Sequence, residues 1–175
     1  MKFRSLIVAG TAAAAFAVPA SSALAVSTPE LVQGTTAGSL AIAAGTGALM
    51  TTGFSPGNTA TQTGLLTVTD TSPSWSLKAK DAGTGAGHMV AAGVGCTGSD
   101  SQLTNATQVS ITSALGGVTP DSAITLSGSD QQVASASSQL LAASLLTTHY
   151  SVVIPSAQTM LTGCVYSQNV TYTLQ

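Results

Sequence analysis

The chain has 175 residues, of which 44% are apolar, 6% charged and 4% aromatic, and its net charge is −2. That length fits one ordinary domain. Four basic residues, two of them Lys2 and Arg4, leave no basic footprint for nucleic acid. The apolar share is too high for a chain kept disordered by low hydrophobicity and high charge.

In chain order, Lys2 and Arg4 come first, followed by an almost wholly apolar run from Leu6 to Ala17. Pro19 then interrupts it, and Ala23-Leu24-Ala25 supplies a small-x-small cleavage pattern. Residues 1–25 therefore read as a secretory signal peptide. An uncleaved anchor is the weaker reading, because a bilayer-spanning helix needs about 20 apolar residues. Cleavage after Ala25 predicts a mature chain of 150 residues, Val26 to Gln175. In it Lys78 and Lys80 stand against Glu30, Asp70, Asp81, Asp100, Asp121 and Asp130, a net charge of −4. Residues 26–37 read as a flexible leader and 38–175 as a single domain. No later run predicts a membrane span, and the C-terminus shows no Leu-Pro-x-Thr-Gly sorting sequence. The expected location is extracellular.

Alternation of apolar and polar residues, the signature of strands buried on one face, recurs along the mature chain. It appears at Leu40 and Ile42, at Leu66 and Val68, and most clearly from Ser74 to Lys80. There Trp75, Leu77 and Ala79 face one way while Ser76, Lys78 and Lys80 face the other. Val109 and Ile111, Ile124 and Leu126, Tyr150, Val152 and Ile154, and finally Val170, Tyr172 and Leu174 repeat the pattern. Turn-forming residues separate these runs at 53–57, 81–87, 116–120, 128–130 and Pro155. Seven or eight short strands so spaced predict an all-β fold, an antiparallel β-sandwich. Residues 131–146 are ambiguous. Leu140, Leu141, Leu145 and Leu146 fall at helical spacing, so the segment reads as a short helix or as a strand with a long loop.

Cys96 and Cys164 are the only cysteines, and in an exported chain an even count favours a disulfide. A metal site with His88 and His149 lacks any close ligand pair and is set aside. Gly93-Val94-Gly95-Cys96-Thr97-Gly98 fits G-x-G-x-x-G, but no helical pattern follows it, so it reads as a surface loop. No G-x-S-x-G elbow accompanies the many serines, and His88 and His149 read as surface or strand-edge residues. Glu30 is the only glutamate, and the aspartates fall mostly at turns, where they cap their own backbone. No catalytic residue, cofactor or metal is predicted. Asn105-Ala106-Thr107 and Asn169-Val170-Thr171 fit the glycosylation sequon, which arises often by chance in a Thr-rich chain.

One constellation remains. Leu65-Leu66-Thr67-Val68-Thr69-Asp70-Thr71 leads into Trp75-Ser76-Leu77. Later come Tyr150-Ser151-Val152-Val153-Ile154-Pro155, then Gly163 and Tyr166, then Val170-Thr171-Tyr172-Thr173-Leu174. This resembles the WxL domain of Gram-positive bacteria over roughly Leu40 to Leu174. That family carries an L-x-V-x-D strand before a first Trp-x-Leu motif and closes on a second. Here Trp75 and Leu77 form the first motif, while Tyr172 and Leu174 form a second with Tyr in place of Trp. The two cysteines are not part of the pattern.

The resemblance implies a non-catalytic surface module attached non-covalently to peptidoglycan or another wall polymer. Alternation places Trp75 in the core rather than at a ligand. The competing expectation is a subunit of a surface fibre or coat, assembled with itself or other surface proteins by strand exchange. Low charge removes the usual protection of sheet edges, and Leu31 to Met50 is the candidate exchangeable strand.

Overall fold

The structure, a computed structural model, describes residues 26–29, 40–44, 50 and 53–175. The expected signal peptide and much of the Leu31–Met50 stretch lie outside the described residues.

Twelve strands follow one another: β1 Val26–Pro29, β2 Leu40–Ala44, β3 Thr59–Asp70, β4 Trp75–Asp81, β5 Val90–Ala92, β6 Gln108–Thr112, β7 Val118–Pro120, β8 Ile124–Thr125, β9 Gln131–Ala136, β10 Leu140–Val153, β11 Val165–Ser167 and β12 Val170–Leu174. A three-residue 3-10 turn, Ser99–Ser101, is the only helical element among the described residues. Every strand pairing is antiparallel. One five-stranded sheet runs β1-β12-β4-β9-β7 and a second runs β2-β3-β10-β6-β8, while β5 and β11 form a small hairpin-like third sheet.

Alternation decides which side chains are enclosed. Along β4, Trp75, Leu77, Ala79 and Asp81 are buried, while Ser76, Lys78 and Lys80 are half-exposed. Leu66 and Val68 of β3, Val109 and Ile111 of β6, and Leu146 and Tyr150 of β10 turn inward from the second sheet. They meet Trp75, Leu77, Val133, Val170, Tyr172 and Leu174 of the first sheet in one cluster. Two antiparallel sheets closed over a shared apolar core make a β-sandwich, as the sequence predicts. A second cluster lies under the β5–β11 lobe. It contains Ala60, Leu103, Val152, Ile154 and Tyr166, and Phe54 lies against Tyr166 with ring centroids 6.0 Å apart.

The structure decides between the two readings of residues 131–146. Residues 131–146 hold no helix; they form β9 and the start of β10. The leucines at helical spacing are split by the pleat, Leu140 and Leu146 being buried, Leu141 72% exposed and Leu145 58% exposed. β10 lies between β3 and β6, so both its edges are hydrogen-bonded, and that pairing outweighs the weak helical pattern of a Ser- and Ala-rich segment. Leu140 pairs with Asp70 but Ser144 pairs with Val68, so a bulge absorbs the extra residues between them. Val26–Pro29, the first residues of the expected leader, form edge strand β1, registered residue by residue on β12 from Val26 opposite Leu174 to Pro29 opposite Thr171, while residues 30–37 lie outside the described residues.

Candidate functional site

The motif residues come together, but inside the protein. Trp75 is 4% exposed, and Leu77, Tyr172 and Leu174 are fully enclosed. Trp75 opens β4 and its indole N–H donates to the Ser138 carbonyl at 3.2 Å, in the turn between β9 and β10. Neighbouring Gln139 donates to the Thr71 carbonyl from the same turn, so the Trp75 end of the sandwich is closed from both sheets. Tyr172 meets Tyr150 across the sandwich, hydroxyl to hydroxyl at 2.5 Å, both rings buried. That contact gives Tyr a use at this position that Trp, a donor through one indole N–H, would not reproduce in kind. These four residues build the fold and present no ring to a ligand.

Cys96 and Cys164 are joined, with Cα atoms 5.8 Å apart. The bond ties the loop after β5 to the loop before β11 at the margin of the second cluster. The glycine-rich stretch 93–98 is this loop. Gly93, Gly95 and Gly98 take positive φ, Val94 is fully exposed, and a single 3-10 turn follows instead of a helix. No helix N-terminus is available there for a pyrophosphate.

The titratable groups are dispersed. His88 Nδ1 meets the Leu103 carbonyl at 2.9 Å, and His149 Nε2 meets Thr112 Oγ1 at 2.8 Å. Buried Asp81 accepts from the Gly83 N–H at 2.8 Å and the Gly87 N–H at 2.7 Å, bracing the loop after β4. Buried Asp70 accepts from the Ser72 N–H at 2.7 Å. Among the described residues no group of three His, Cys, Asp or Glu gathers to hold a metal ion. The Asn105 sequon is part of the fold, since Thr107 is buried and the Asn105 amide donates to the Val153 carbonyl at 2.8 Å.

A concave surface lies on the outer face of the second sheet. β10 aligns with β3 on one side and β6 on the other, which sets the polar halves of three alternating strands in rows. One row is Thr61, Ser151 and Gln108; another is Thr63, His149 and Ser110. Between them the backbone of Gln62, Tyr150 and Val109 forms a floor, and Ala123 stands at one end. The rows are about 7 Å apart, two residues along a strand. The trench measures about 390 Å³. A second depression of about 280 Å³ adjoins it, shares Gln108 and Ser151, and is bordered by Asn105, Thr125 and Val153. The polar lining is hydroxyl, amide and one imidazole, with no carboxylate and no lysine, while Ala123 in the trench and Ala106 and Val153 in the adjoining depression add apolar surface. Both described lysines are on the opposite sheet, where Lys80 pairs with Asp130 at 3.4 Å and Lys78 donates to the Gln175 side chain at 2.8 Å.

Sequence reasoning puts Ser110 opposite Val109 and Ile111 in an alternation and His149 at a surface or strand edge, and it singles out Thr61, Thr63, Gln108 and Ser151 not at all. These residues come from segments 59–70, 108–112 and 140–153, and only the strand order brings these together. Comparison of the chain with protein-family models, with curated proteins and with solved structures found no match.

Proposed function

We propose that the protein is an exported, non-catalytic module that attaches non-covalently to the bacterial cell wall, and that the trench on the outer face of β3, β10 and β6 is the attachment site. The observation that carries this reading is the chemistry of the trench. Its hydroxyls and amides both donate and accept, which suits a neutral, hydroxyl-rich glycan strand. A phosphate-rich teichoic acid would call for lysine or arginine, and the trench has neither. The N-terminal signal pattern, the Cys96–Cys164 bond and the resemblance to the WxL domain support the same location. Among the described residues no helix is long and apolar enough to cross a membrane. Each hydrogen bond exchanged with water contributes only about 0.5–1.5 kcal/mol, so a single trench binds modestly and a dense wall compensates by offering many sites.

Sedimentation of the mature protein with purified peptidoglycan sacculi tests the reading. Sacculi stripped of wall teichoic acid should retain the protein as well as unstripped ones, and soluble glycan fragments should release it. Loss of binding on stripping, or no binding to either preparation, would refute the assignment.

A further inference from the structure

The first two strands belong to the sandwich in an unusual way. β1 forms the edge of one sheet, on β12, and β2 forms the edge of the other, on β3. One N-terminal arm thus closes both sheets on the same side, and β2 also lies against β1 and β12 across the sandwich. Neither strand carries a charged residue: Val26-Ser27-Thr28-Pro29 and Leu40-Ala41-Ile42-Ala43-Ala44. The strand that β1 covers is buried throughout, from Val170 to Leu174. An uncovered β12 would expose a ladder of unpaired N–H and C=O groups beside the core. The opposite edges are short as well. β7 has three residues and ends in Pro120, and β8 has two residues. Short strands and proline blunt an edge against further pairing. β1, four residues ending in Pro29, is blunted in the same way; what distinguishes the arm side is that both of its edge strands precede every other described strand, so they can part from the sheets without dragging the rest of the fold.

We infer that the arm is exchangeable, and that the partner on this edge is a second copy of the same chain, whose β1 and β2 take the places of the resident strands on β12 and β3. Every backbone pairing is then reproduced in the same register, Val26 opposite Leu174 and Leu40 opposite Asp70, so exchange gives up no contact within the sheets. The arm precedes the rest of the domain, and with residues 1–25 removed it leaves and enters without threading. Between Ala44 and Gly53 lie eight residues, which reach about 25–30 Å when extended; among them is Met50, whose packing against both core clusters the extension gives up. That span is enough to carry the arm to a neighbouring molecule, about the diameter of a small domain away. Reciprocal exchange yields a dimer, and one-way exchange yields a fibre. The inference is independent of what the trench binds.

The test places one cysteine on each of two chains. Ser27 and Thr173 are register partners. A chain with Ser27→Cys and a chain with Thr173→Cys, produced together and secreted into oxidising medium, can link position 27 to position 173 only between molecules. Peptide mapping should find this linkage, alongside the native Cys96–Cys164 bond. The double variant Ser27→Cys/Thr173→Cys in one chain establishes that the pair is able to close. A second pair, Ala41→Cys with Thr69→Cys, probes β2 on β3 in the same way. Intermolecular linkage at either pair supports exchange. Closure only within the double variants, with none between singly substituted chains, would overturn it.

Discussion

The inner and outer faces of β3, β10 and β6 are made by alternate residues of the same three strands, yet they do opposite work. Inward, Leu66, Val68, Val109, Ile111, Leu146 and Tyr150 join the main core. Outward, Thr61, Thr63, Gln108, Ser110, His149 and Ser151 line a polar trench. The Trp-x-Leu residues, the most conspicuous in the sequence, belong wholly to the inner set. The residues that make the pattern in the chain are therefore not those of the proposed binding trench. Substitutions inside should change stability and leave the binding of folded molecules intact, while substitutions outside should do the reverse.

The largest expected effect is at Trp75. Truncating a buried Trp costs about 3–5 kcal/mol, and Trp75→Ala also removes the donor to Ser138. Denaturant unfolding should show that loss, and wall binding should fall only in proportion to the unfolded fraction. Emission from Trp75, the only tryptophan, should be blue-shifted and poorly quenched by iodide. A red-shifted emission, with melting unchanged by the substitution, would move Trp75 out of the core.

Next comes the Cys96–Cys164 bond. It closes a loop of 68 residues, for which the chain-entropy model gives about 4 kcal/mol. The double substitution Cys96→Ala/Cys164→Ala should lower stability by that order, while folded protein keeps its affinity for sacculi, because the bond sits in the β5–β11 lobe and not in the trench. Affinity that falls with the bond at temperatures where the protein remains folded would join the lobe to the site.

A smaller effect is expected at Tyr172. Tyr172→Phe takes from Tyr150 its partner across the sandwich and should cost about 1–2 kcal/mol. Tyr150→Phe/Tyr172→Phe should cost less than the sum of the two single changes, the sign of a direct interaction. Additive losses in denaturant unfolding would deny the coupling between the sheets.

Much of the fold is legible in the sequence, because a half-buried strand writes its burial as period-two alternation. β4 is read correctly from Trp75-Ser76-Leu77; β12 is read correctly as a strand from Val170-Thr171-Tyr172, although its Thr171 and Thr173 face is buried too. Two elements are not legible, for related reasons. The Leu140–Leu146 segment mixes a bulge with apolar residues on both faces, so its period is blurred, and only pairing on both edges makes it a strand. β1 is four residues with little pattern, and it is ordered by β12 rather than by its own propensity. The trench is hidden in another way. Its residues are ordinary Thr, Ser and Gln in a chain full of them, and their significance lies in the strand order β3-β10-β6, which no local signal encodes.

The division between an inner face that holds the fold and an outer face proposed to bind is tested most directly by sacculus binding of two matched variants. Thr63→Ala/Gln108→Ala/His149→Ala removes three polar groups from the trench, and Lys78→Ala/Lys80→Ala removes the two described cations from the outer face of the other sheet. Both sets are surface changes, expected to alter stability by about 0.5 kcal/mol or less per site. Losing three hydrogen bonds should weaken wall binding by at least about tenfold in the first variant. The lysine variant should bind as the parent does. A trench variant that still binds sacculi like the parent, or a lysine variant that loses binding, would contradict the assignment of the site.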